Sequence, residues 1–241
     1  MTIDDHGHVA TDAYGRTDKP GVWAVGDVTA GHALAHRAFE QGIVIAETIA
    51  GLNPKPVDEA TVPQIVFSFP EAASVGLTVE QAQAREDLIE IKETNYPMLA
   101  NARMLMSGTA GSLTIVSGCD AANPDTPRVL GVHMVSQMAS DIIAEAEQLV
   151  GNHVPLADAA RLVHPHPTFS ETLGEALLKP TDGRYTHAET NQHKQVRTSA
   201  PDKMLSSVFR LNKGRSDGGK GREAEEAEHN QADHPDLQVH G

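Results

Sequence analysis

The chain has 241 residues, with 19 Lys and Arg against 33 Asp and Glu, giving a net charge of -14. An acidic chain of this kind is repelled by nucleic acid and by anionic membranes, which excludes both as expected partners. The single cysteine, Cys119, excludes an internal disulfide framework and any Cys-x-x-Cys zinc or redox pair.

No apolar run approaches the roughly 20 residues needed to span a bilayer. The acidic, polar start Met1-Thr2-Ile3-Asp4-Asp5-His6 does not read as a signal peptide, so the expectation is a soluble cytoplasmic protein.

In chain order, residues 8–11 read as a short strand and Arg16-Thr17-Asp18-Lys19-Pro20-Gly21 as a turn. Val22-Trp23-Ala24-Val25 is an apolar run of buried-strand type that ends in Gly26-Asp27. A helix follows, with Leu34, Ala38, Ile45 and Ile49 at helical spacing, and Gly51 and Pro54 close it. The proline-rich link 53–63 marks a crossing between domains.

A strand-rich section spans about 64–135. Residues 64–69 alternate and stop at Pro70, and Thr78-Val79-Glu80-Gln81 is a capping box opening a short helix. Residues 90–94, 112–116 and 128–135 read as further strands, with Asn123-Pro124-Asp125-Thr126-Pro127 as a turn between the last two. The next section is helical: Ala139, Ile142, Ile143, Ala146, Leu149 and Val150 fall on one face. A shorter helix is expected over 156–163 and a last one through Leu178. Strands followed by helices point to an α+β domain. Residues 181–241 are Gly-rich and charged, with too little apolar surface to offset ordering, and read as a disordered tail.

Chemistry concentrates in His164-Pro165-His166-Pro167-Thr168-Phe169-Ser170-Glu171. Each proline fixes its own φ and restricts the preceding histidine, which suits a positioned acid–base group. Glu171, five residues past His166, is placed to accept from the imidazole and fix its tautomer. Thr168 to Glu171 is also a capping box, so Glu171 has a second reading as the cap of the last helix. Asp27, at the end of an apolar run and just before a helix start, occupies a position where α/β proteins bind ligands. His32 and His36 stand four apart, but no third ligand accompanies them, so no metal is expected. Cys119 has no basic neighbour to activate it and reads as a bystander thiol.

Together these segments resemble the C-terminal part of the flavoprotein disulfide reductases, and within that family the dihydrolipoyl dehydrogenases. Gly21-Val22-Trp23-Ala24-Val25-Gly26-Asp27-Val28 resembles the family's second FAD segment, and Ala33-Leu34-Ala35-His36 the helix start that faces the flavin ring. Pro70-Glu71-Ala72-Ala73-Ser74-Val75-Gly76-Leu77-Thr78 resembles the entry to the dimerisation domain, Gly131-Val132-His133-Met134-Val135 its core strand, and Ala139-Ser140-Asp141-Ile142-Ile143 its interface helix. The resemblance implies a division into residues 1–53 from the FAD-binding domain, 60–180 as the dimerisation domain and 181–241 as the tail. It implies FAD and NAD as cofactors, a homodimer, 2-oxoacid dehydrogenase complex components as further partners, and a cis bond between His166 and Pro167. It implies His166 as acid–base residue with Glu171 its orienting partner, and Asp27, Ala33, Leu34, Ala35 and His36 beside the flavin. His164 is expected to face elsewhere and to be replaceable. The family's Gly-x-Gly-x-x-Gly loop and Cys pair do not occur in this sequence. A truncated enzyme, a mis-started or split gene product, and a stand-alone dimerisation module are the expectations this leaves.

Overall fold

The computed structural model describes residues 1–181; the expected tail lies outside them apart from Thr181. The domain that follows the proline-rich link is a five-stranded antiparallel sheet in the order β1-β2-β5-β4-β3. Its strands are β1 (Gln64–Val66), β2 (Glu71–Gly76), β3 (Leu88–Pro97), β4 (Ser112–Asp120) and β5 (Asn123–Ser136). Helices α4 (Ala139–Gly151), α5 (Leu156–Ala159) and α6 (Glu171–Leu178) pack on it. Strand β4 is buried almost end to end, because both its faces are covered. Leu113 and Ile115 join Val132, Met134, Ile142, Ile143, Leu173 and Leu177 in the main core. Val116 points the other way, to a smaller cluster with Ala82, Leu88 and Leu130.

One irregularity sets that division. Val116 pairs with Gly131 and Ser117 with Val129, so Leu130 is an extra residue in β5. The bulge lets Val129 and Val132 both face the main core while Leu130 enters the smaller one. Gly131 lies at this point because a Cβ there would stand 2.1 Å from the Leu77 carbonyl oxygen.

The short helix α2 (Val79–Gln83) opens with the full capping box: Gln81 N–H donates to Thr78 Oγ1, and Thr78 N–H to Gln81 Oε1. Helix α3 (Ala102–Ser107) is capped by Asn101, whose Oδ1 accepts from Met104 N–H.

Several sequence expectations are corrected. The turn expected over 123–127 is strand: β4 and β5 are joined by Ala121 and Ala122, and the prolines lie on the exposed start of β5. Strand β2 was not foreseen, because Glu71-Ala72-Ala73-Ser74 carries none of the β-branched or aromatic residues that announce a strand. The alternation expected over 64–69 forms a strand only to Val66. The helix expected over 156–163 stops at Ala159.

Residues 1–53 form helix α1 (Ala35–Ile49) and a set of loops held by isolated bridges, Val9 to Thr29 and Arg16 to Trp23 among them. The run read as a buried strand is not buried: Val22 is 42% exposed and Val25 39%. Among the described residues, three buried side-chain polar atoms lack a partner, Trp23 Nε1, Arg37 Nη1 and Thr48 Oγ1, and all lie in this segment.

Candidate functional site

The segment between α5 and α6 carries the site. It runs from His164 through two prolines to Glu171, the first residue of α6. The His166–Pro167 peptide bond is cis, as expected. His166 Nδ1 lies 2.7 Å from Glu171 Oε1. A carboxylate only accepts, so Nδ1 carries the proton and Nε2 presents its lone pair. The His166 side chain is 71% exposed and Glu171 17%, so the imidazole faces outward from a largely covered carboxylate.

Glu171 reaches both His166 and Thr168 at once. Its second oxygen, Oε2, accepts from Thr168 N–H at 2.7 Å, and Glu171 N–H donates to Thr168 Oγ1 at 3.3 Å. These bonds join Thr168 and Glu171 as a capping box would, although α6 begins only at Glu171, and the Thr168 and imidazole contacts use different oxygens of one carboxylate. Thr168 Oγ1 also donates to the Pro165 carbonyl at 2.8 Å.

His164 faces elsewhere, as expected, and is held there by a partner on α4. Its Nε2–H donates to Glu145 Oε1 on α4 at 2.8 Å, and its side chain is 10% exposed. It lies so close over α6 that a Cβ on Gly174 would stand 2.4 Å from its Nδ1. His164 and Glu171 share the wall of a recess of about 180 Å³ with Leu162, Gly174 and Glu175. Glu175 accepts from the buried Tyr96 hydroxyl, and burial together with this bond pushes the Tyr96 phenol well above its usual range. The signal for His164, Glu145 and Asn101 was absent from local spacing, since each meets its partner across the fold.

The other sequence-predicted residues lie apart, on the N-terminal segment. Asp27 is exposed in a one-turn 3-10 helix, Gly26–Val28. Helix α1 begins at Ala35, with Leu34 at its N-cap position and Ala33 just before it. No side chain caps this helix, so its first N–H groups are left for an outside acceptor. His36 is exposed, and its Nε2–H donates to the Pro63 carbonyl at 2.7 Å, tying the helix start to the proline-rich link. His32 approaches Gln64 at 3.2 Å. The described residues hold no cluster suited to a metal and no helix long and apolar enough to cross a membrane. Cys119 is buried in β4, and burial raises its thiol above the ordinary range, with Glu90 and Asp120 adding to the effect.

Residues 62–177 match the pyridine nucleotide-disulphide oxidoreductase dimerisation domain, and residues 1–42 match a pyridine nucleotide-disulphide oxidoreductase model. Curated relatives include the dihydrolipoyl dehydrogenase of Cupriavidus necator, 39% identical over 178 residues, covering 74% of this chain and 36% of the relative. Another is that of Bacillus subtilis, 37% identical over 186 residues, covering 77% of this chain and 38% of the relative. The chain thus spans little more than a third of the length of these relatives. Among solved structures, LpdA from Mycobacterium tuberculosis is similar at a TM-score of 0.65 and 28% identity, covering 72% of this chain and 36% of that one. The HOCl-induced flavoprotein disulfide reductase RclA from Escherichia coli shares the fold at a TM-score of 0.65 and 22% identity, covering 74% of this chain and 40% of that one.

Proposed function

The chain belongs to the pyridine nucleotide-disulphide oxidoreductase family, whose dimerisation domain it carries, and from that premise we propose that it supplies the acid–base half of a dihydrolipoyl dehydrogenase-type site. The reaction is the oxidation of dihydrolipoamide with NAD as final acceptor, in the cytoplasm. The observation that carries this reading is the His166–Glu171 pair, with Nδ1 held at 2.7 Å and Nε2 turned outward. A dihydrolipoyl thiol becomes a nucleophile only as thiolate, so a base must take its proton. Nε2 of His166 takes it, and the Glu171 carboxylate stabilises the imidazolium that forms.

The outward-facing base needs a surface opposite it, and a second copy of the dimerisation domain provides one. Leu162 and Val163, both exposed, precede the site and are covered in such a dimer. A 2-oxoacid dehydrogenase complex would present the lipoyl substrate to the assembled pair.

FAD, when bound, accepts the electrons of the dithiol through a disulfide and passes them on as hydride. The residues present fit one part of it: the Asp27 carboxylate can accept from sugar-chain hydroxyls, and the uncapped first turn of α1, after Ala33 and Leu34, can donate from Ala35 and His36 to ring oxygens. Among the described residues nothing forms a dinucleotide-phosphate cradle, and the sequence has one cysteine, so these residues supply neither the flavin's other half nor the disulfide. NAD finds no fitting residues in the described part, and no step is assigned to this chain there.

The test is complementation. A full-length dihydrolipoyl dehydrogenase whose own site histidine is replaced by glutamine is mixed and refolded with this chain. Restored NADH formation with the wild-type chain, and none with His166→Gln, is expected. Restoration by both variants, or by neither although mixed dimers form, overturns the proposal. The lone buried thiol favours a second reading, a dimerisation module without catalysis; mixed dimers without activity would select it.

A further inference from the structure

The acid–base pair spans the loop from His164 and the first residue of α6, and hydrogen bonds reach it from two directions. The first starts at the N-terminus of α3. Asn101 is 3% exposed; its Oδ1 accepts from Met104 N–H at 3.0 Å, and its Nδ2 donates to the Thr168 carbonyl at 3.0 Å. The Thr168 backbone is therefore gripped in both flanking peptides, its C=O by Asn101 and its N–H by Glu171 Oε2. From there the chain of bonds continues through the carboxylate to His166 Nδ1. The second direction is α4. Glu145 holds His164 Nε2 at 2.8 Å, and the imidazole lies against the α6 backbone where only Gly174 leaves room.

We propose that Asn101 and His164, neither of which touches the reacting atoms, are positioning residues that clamp the two ends of this loop. They thereby hold His166 in the Nδ1–H tautomer, with its basic nitrogen outward. The inference deepens the reading of His166 and Glu171 as an acid–base pair and names what holds that pair in place.

The physical case rests on what each contact restricts. A free imidazole favours the Nε2–H tautomer, so the Nδ1–H form requires an acceptor fixed beside Nδ1. Glu171 is such an acceptor only while its carboxylate stays in one orientation. Thr168 N–H fixes that orientation, and Asn101 fixes Thr168. At the other end, Pro165 and Pro167 stiffen the backbone between His164 and Thr168, so an anchored His164 limits where His166 can sit. Asn101 is buried with both amide groups engaged across two elements, which ties the site to the fold and not to its own loop.

The experiment reads the tautomer directly. The full chain is labelled with 15N-histidine, and long-range 15N–1H correlation at mildly alkaline pH shows which ring nitrogen of His166 carries the proton. It requires no flavin, partner or substrate, so its outcome is independent of the complementation test. The wild-type chain is expected to show the Nδ1–H form. Asn101→Asp keeps the oxygen that caps α3 and removes the donor to Thr168; it is expected to lose the Nδ1–H preference. His164→Ala is expected to lose it too, whereas His164→Gln, which places an amide N–H near the position of Nε2, is expected to keep it. Gly174→Ala raises helix propensity but drives the His164 ring from its seat, and loss is expected with little change in Tm.

A purely structural role gives a different pattern: lower Tm in Asn101→Asp and His164→Ala with the His166 tautomer unchanged. That pattern overturns the proposal, as does a wild-type chain with His166 in the Nε2–H form. Where His164→Ala fails to fold, Glu145→Ala removes the same anchor from α4 and is read by the same criterion.

Discussion

The two regions of the molecule bury themselves in different ways. Residues 62–181 close around a core in which Leu113, Ile115, Val132, Met134 and Leu173 have no exposed surface. Residues 1–53 have one α-helix, a few isolated bridges and little core: Val44 is their only buried large hydrophobic, while Val22, Val28, Phe39, Ile43 and Ile49 are exposed. Among the described residues, all three orphaned buried polar atoms lie in this second region. A sheet with layers on its faces satisfies its own backbone and apolar surface; a helix with loops around it leaves both unfinished. One region thus has the makings of an independent folding unit, and the other needs further protein to complete it.

The strongest way to break this contrast is to separate the regions. Residues 56–181 are expected to unfold in one cooperative urea transition, and residues 1–53 to show none. Cooperative unfolding of the N-terminal piece would dissolve the distinction. Next in size, Gly131→Ala pushes a methyl into the Leu77 backbone, which cannot turn aside as a side chain would; a loss of about 4 kcal/mol by urea titration is expected. Met134→Ala empties part of the main core at about 3 kcal/mol, whereas Phe39→Ala, at a side chain 73% exposed, should fall within about 0.5 kcal/mol. Equal effects from the last two would show that both regions are packed alike.

The smallest expected effect is a pH dependence inside the sheet. His133 on β5 accepts from Ser74 Oγ at 2.5 Å with Nδ1 and donates to the Leu77 carbonyl with Nε2. Thr114 stands opposite it on β4, and the Glu80 carboxylate acts on it electrostatically. Burial pushes its pKa below the ordinary 6.5, outweighing the Leu77 bond and Glu80. The unfolded chain therefore binds the proton first. The contribution of neutral His133 to stability is complete above pH 6.5 and declines as pH falls below it. Urea midpoints measured on both sides of that value should differ in the wild-type chain, and the difference should shrink in His133→Gln.

Much of the domain was legible because its signals were local. Thr78 and Gln81 announce their own helix, and the interface-type helix shows its face through Ala139, Ile142, Ile143 and Ala146. His166 and Glu171 were legible for the same reason: five residues and two prolines bring them together. What was missed depends on distant partners. Strand β2 is strand because β1 and β5 flank it, whatever its small residues prefer. Pro124 and Pro127 suggested a turn, but the start of β5 projects to an exposed end where a missing donor is tolerated. The apolar run 22–25 had the composition of a buried strand but lacks, among the described residues, the layers that would bury it.

The split use of Glu171 gives the site a direction. Because Thr168 N–H demands an oxygen, replacing the carboxylate by its isosteric amide leaves no choice of orientation: the oxygen must stay with the backbone and the NH2 must turn to the imidazole. An NH2 group donates, so His166 would have to accept on Nδ1 and move its proton to Nε2. A change of one atom at position 171 would then reverse the polarity of the nitrogen that faces outward, from acceptor to donor, with every heavy atom in place. The backbone amide of Thr168 acts as a key that admits one orientation of the carboxylate or amide at 171, so that the residue there decides whether this surface offers an acceptor or a donor.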